Sequence, residues 1–102
     1  MTTDRNETII RIRKALKARS GKTWSVTGGR GTGWGWITIQ APPARRVDGY
    51  MTEEDWTELG ELLGEKVDDQ GVSIPASSDY RSEYIDRAEG REPERKGSPY
   101  WD

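Results

Sequence analysis

The chain has 102 residues, enough for one small domain. Leu, Ile, Val and Phe number only fifteen, below the usual share for a globular sequence, but a net charge of −2 lacks the self-repulsion of a disordered chain, and five Trp and four Tyr supply part of the missing apolar area. With no Cys and no His, thiol nucleophiles, disulfide scaffolds, the Ser-His-Asp triad and His-ligated metal centres are excluded.

Asp4 and Glu7 have the spacing of a capping box. Ile9, Ile12 and Leu16 then recur at helical steps, with Ile10 and Ala15 widening the stripe and Gly21 as the stop. Thr23, Ser25 and Thr27 alternate with Trp24 and Val26, and Trp34, Trp36 and Thr38 alternate with Gly35, Ile37 and Ile39. The glycine-rich stretch 28–33 separates the two runs, which predicts a β-hairpin ended by Pro42 and Pro43. Thr52 is the expected N-cap of a second helix, with Asp55 at N3 and Met51 stapled against Trp56. Trp56, Leu59, Leu62 and Leu63 form its apolar stripe, Gly60 marks close packing and Gly64 the end. A short strand is expected over 71–75, then a helix from Ser77 or Ser78 to about Ala88. The predicted fold is a small α+β two-layer sandwich of order α-β-β-α-β-α, with a short three-stranded sheet and a β-hairpin. It occupies residues 1–90, and residues 91–102 form a polar tail too poor in apolar residues to fold alone.

No apolar run approaches the roughly 18 residues of a membrane span, and none of signal-peptide type follows Met1, so a soluble cytoplasmic protein is expected. Charge is divided along the chain. Residues 1–46 carry ten basic and two acidic groups; residues 47–102 carry six and sixteen. A basic half is the electrostatic footprint of a nucleic-acid binder unless the two halves neutralise each other in space.

The glycine loop lacks both phosphate-binding motifs and joins two strands, whereas those motifs need a helix N-terminus. It can still touch a phosphate through Arg30. If Trp24, Val26, Ile37 and Ile39 face the helices, period two sends Trp34 and Trp36 to the other face of the sheet as a stacking platform for unpaired bases. The competing readings of that face are a homodimer seam, a fold-back of Tyr100 and Trp101, and plain core. Asp79, Glu83 and Asp86 share a helix side, but Glu83 and Arg87 have ordinary ion-pair spacing and a solvated face is the expectation. Asp68 and Asp69 read as turn chemistry.

The stretch 9–39, with its basic helix, Lys22, Thr23, Trp24, Ser25 and Val26, an Arg/Gly turn and a short alternating strand, resembles the opening of one of the uncharacterised domains in large polyvalent proteins of phages and conjugative elements. Its continuation, Gln40, Ala41, Pro42 and Pro43, departs from the Trp- and Asp-containing one of that group. The resemblance implies a mobile-element accessory protein and carries over no catalytic residue.

The leading expectation is a non-catalytic nucleic-acid-binding protein without metal or cofactor, using Arg11, Lys14, Lys17, Lys22 and Arg30 on phosphates and Trp34 and Trp36 on bases. The alternative is a protein-interaction module or an inhibitor of a host DNA-processing or defence system. It would act through the acidic residues Glu53, Glu54, Asp55, Glu58 and Glu61 or the tail aromatics Tyr100 and Trp101. An enzyme with a carboxylate-based site is a lesser alternative.

Overall fold

The computed structural model describes residues 5–29, 35–76 and 78–93. Helix α1 (Arg5–Ser20) buries Thr8, Ile12 and Leu16, which lie four apart and so share one face. Asp4 lies outside the described residues, and Gly21 ends the helix at φ 73°. Strands β1 (Ser25–Gly28) and β2 (Ile37–Gln40) pair antiparallel, and β3 (Val72–Ile74) pairs antiparallel with the other side of β2. Both hairpin strands are shorter than their alternating sequences suggest. Helices α2 (Glu53–Leu63) and α3 (Ser78–Ala88) complete the order α-β-β-α-β-α.

The sheet alternates as its sequence requires. Val26, Ile37, Ile39, Val72 and Ile74 are buried against the helices with Trp24, Leu59, Leu63 and Ile85. Thr27, Thr38 and Ser73 are exposed on the opposite face. Thr52 caps α2 by accepting the Asp55 N–H at 3.3 Å, and Gly64 closes it in the left-handed conformation. Met51 is buried, and a Cβ on Gly60 would meet the Glu65 carbonyl oxygen at 2.8 Å.

Two features depart from the sequence reading. After Pro42 the chain makes a 3-10 turn over Pro43–Arg45, then a two-residue hairpin in which Val47 and Tyr50 exchange backbone hydrogen bonds of 2.8 and 3.0 Å. Asp48 and Gly49 both have positive φ, as a type I′ turn requires, and the turn leaves Val47 and Tyr50 exposed. The second departure is in α3. Glu83 is not on a solvated face: it is 5% exposed, and Arg87 donates to it at 2.8 Å.

Arginines fasten the element ends. Arg19 of α1 donates to Leu62, Arg87 and Ala88 carbonyls at 2.8, 3.1 and 2.9 Å, tying α1 to the C-terminal turns of α2 and α3, where cations are favoured. Arg87 bonds the Leu63 and Gly64 carbonyls. Tyr84 donates to the Glu65 carboxylate. Burial first, and that carboxylate second, hold the Tyr84 phenol well above its usual 10.0.

Two outcomes follow. Gly71 sits at φ 87°, and a Cβ there would overlap the Ile39 carbonyl oxygen, whereas Gly21 has open space around it. Gly71→Ala will abolish the cooperative urea transition, while Gly21→Ala will cost only about 1–2 kcal/mol. A folded-state phenol pKa above the unfolded value means stability that is fully present below pH 10.0 and lost as pH rises beyond it. Tyr84→Phe will therefore flatten the alkaline limb of a stability-versus-pH curve measured by urea unfolding.

Candidate nucleic-acid interface

Residues 1–46 carry most of the positive charge, and the fold divides it into three environments. The first is a seam of charges along α2 in which only Asp55 is buried. Lys22 Nζ lies 2.7 Å from Glu58 Oε1 and 3.7 Å from both Glu54 and Asp55 carboxylates, and Arg45 Nε lies 3.0 Å from Asp55 Oδ2. The Glu58 hydrogen bond is the largest cause holding the Lys22 ammonium above its usual 10.5. Arg45 also stacks 4.9 Å from the centre of the buried Trp24 ring. The Trp24 indole N–H in turn donates to Ser20 Oγ at 3.0 Å. The fold thus brings Lys22, expected on phosphates, against Glu54, Asp55 and Glu58, expected on a protein partner. Asp55 is 3% exposed and buried under its own ion pairs.

The second environment is the outer edge of β1. Gly29 N–H bonds the Trp36 carbonyl, so by alternation Val26 points its main-chain groups away from β2. Arg13 reaches over from α1 and donates to the Val26 carbonyl at 2.8 Å. Arg5 does the same to Gly29 at 3.0 Å. Arg81 of α3 bonds the Gly35 carbonyl at 3.0 Å, so both described ends of the glycine-rich connection are gripped. Arg30 and Trp34 lie between them, outside the described residues.

The third environment is the outward side of α1. Arg11 is 3.3 Å from Glu89, a carboxylate it shares with Arg91. Lys14 and Lys17 are exposed, and neither has an acidic partner among the described residues. Lys14 lines a surface groove with Arg11, Ala15, Ala18, Arg19 and Glu89. Arg13 and Arg19 were absent from the expected contacts. Arg13 lies four residues before Lys17, a helical spacing that could have found it; Arg19 has no such spacing to Arg11, Lys14 or Lys17.

Trp36 stands on the open face of the sheet, 45% exposed, two residues from Thr38 on β2. Glu53, Glu54 and Glu61 are exposed on α2, and Tyr100 and Trp101 fall outside the described residues. Asp68 Oδ1 accepts the Gln70 N–H at 2.9 Å, a local turn bond. Among the described residues no group of three or more carboxylates is placed to hold a metal ion, and no helix is long and apolar enough to cross a membrane. No protein-family model matches the chain, and no curated protein or solved structure does so either.

The seam makes a quantitative distinction. Asp55→Asn removes the charge shared by Arg45 and Lys22 and will cost about 2–3 kcal/mol. Glu53→Gln, on the exposed start of the same helix, will change stability by less than about 1 kcal/mol. Urea denaturation followed by circular dichroism measures both.

Proposed function

We propose that this is a small non-catalytic nucleic-acid-binding protein whose phosphate contacts lie on the outward side of α1. The observation that carries the reading is the pair Lys14 and Lys17, exposed and without acidic partners among the described residues, next to Arg13 at the edge of β1. Trp36, exposed on the face of the sheet away from the helices, supplies a surface on which a base can stack. Arg11 lies on the same side of the helix, paired with Glu89, while Arg91 is paired with both Glu89 and Asp86. Arg30 and Trp34 belong to the same proposal through their place in the connection between β1 and β2. Lys22 contributes to the fold instead, since three carboxylates surround it. An accessory role in a mobile element, implied by the resemblance over residues 9–39, forms part of the proposal.

The test is titration with single-stranded oligonucleotides at several salt concentrations, followed by Trp fluorescence. Affinity will fall linearly on a log–log salt plot. Lys14→Ala/Lys17→Ala will lower that slope by about two. Trp36→Ala will weaken binding by about 1–3 kcal/mol and leave the slope unchanged. Binding that ignores salt, or no binding by a folded protein, overturns the proposal. The assignment then passes to a protein partner met through exposed Glu53, Glu54 and Glu61 on α2.

A further inference from the structure

We infer that the strand bound at this surface is single-stranded RNA, with its ribose hydroxyls met by Thr27, Thr38 and Ser73. The inference rests on the nucleic-acid reading above and names the class of ligand. One-third of the chain is charged (33%), yet none of the described strand residues of the outward parity, Ser25, Thr27, Thr38, Gln40 and Ser73, carries a charge. That face is exposed, hydrogen-bonding and neutral, which suits sugars and bases and does not suit phosphates. A cation lies instead at the edge of β1, where Arg13 donates to the Val26 carbonyl and complements a phosphate chain. The two halves of a nucleotide therefore meet two different surfaces that adjoin at one strand.

The register sets the hydroxyls in a line. Thr27 is opposite Thr38, and Thr38 is opposite Ser73, so neighbours are spaced by roughly 4.8 Å across the three strands. Trp36 immediately precedes β2, two residues from Thr38 and with the same parity, roughly 7 Å along the chain. A base stacked on Trp36 holds its ribose at the margin of the ring, toward that row. A hydroxyl both donates and accepts, as the ribose 2′-OH does, and deoxyribose offers no such group. Stacking on an indole needs a base free of its pair, which selects a single strand over a duplex. Gln40 is not available to the sugar, because its amide donates to the Gln70 carbonyl at 3.2 Å.

Thr is also a good strand residue on a wet face, and valine separates the two roles. Thr27→Val/Thr38→Val keeps the branched shape and strand preference while removing both hydroxyls. Ser73→Ala serves as a second variant on a different strand. The probes are an oligouridylate and an oligodeoxyuridylate of about twelve nucleotides, which differ only in the 2′-OH. At fixed salt the RNA will bind about fivefold more tightly. The double variant will lose that preference while keeping its affinity for the DNA and its salt slope, and Ser73→Ala will reduce the preference. Equal affinity of the parent protein for the two probes, or a preference that survives the double variant, overturns the RNA inference and leaves the nucleic-acid reading intact. Failure to bind either probe overturns both.

Discussion

Hydrogen bonds from arginine side chains to main-chain carbonyls hold the ends of this fold in place, and the shortage of apolar side chains explains the dependence. Among the described residues six arginines make such bonds: Arg5, Arg13, Arg19, Arg46, Arg81 and Arg87. One nitrogen of Arg19, Nη1, serves the last turns of two helices at once. Helices of eleven residues are too short to be stable alone. Their packing and their C-terminal carbonyls must both be satisfied from outside, and α1 does this.

A carbonyl bond leaves a guanidinium charged. The arginines that fasten the structure therefore also set its field, and the cationic side of α1 is partly a by-product of fold construction. Neutralisation occurs elsewhere, in the seam where Lys22 and Arg45 meet Glu54, Asp55 and Glu58. There the basic and acidic halves of the chain attract each other at a partly exposed seam around the buried Asp55, and the aromatic face of Trp24 lies against one of the cations. What the seam does not absorb remains outside as separate surfaces, basic on α1 and acidic on α2.

The sheet separates two kinds of chemistry by parity alone. Residues of one parity make the core with the helices; those of the other form a neutral, hydroxyl-rich face bearing Trp36. Arg13 covers an outward carbonyl of β1, which blunts that edge against pairing with another strand. It also places a cation where the neutral face and the basic helix adjoin.

Local order was legible in the residues themselves. The Thr52 cap, the Gly21 and Gly64 stops, the alternation that buries Trp24 and exposes Trp36, and the order α-β-β-α-β-α all follow from short-range sterics and hydrogen bonding that a stretch of ten residues contains. The turn at Asp48 and Gly49 was written in the same way, but no alternating strands flank it to announce a hairpin. What only the tertiary structure decided is which charges meet. Asp55 reads as a capping-box residue of α2, and nothing within its own helix shows that Arg45 and Lys22 will bury it. Glu83 and Arg87 have the spacing of a surface pair, and only the packing of α3 makes that pair internal. Lys14, Lys17 and Lys22 look equivalent in the sequence. They differ because α2 brings three carboxylates to Lys22 and none to the other two, and contacts between residues so far apart in the chain are fixed by packing, which no local pattern encodes.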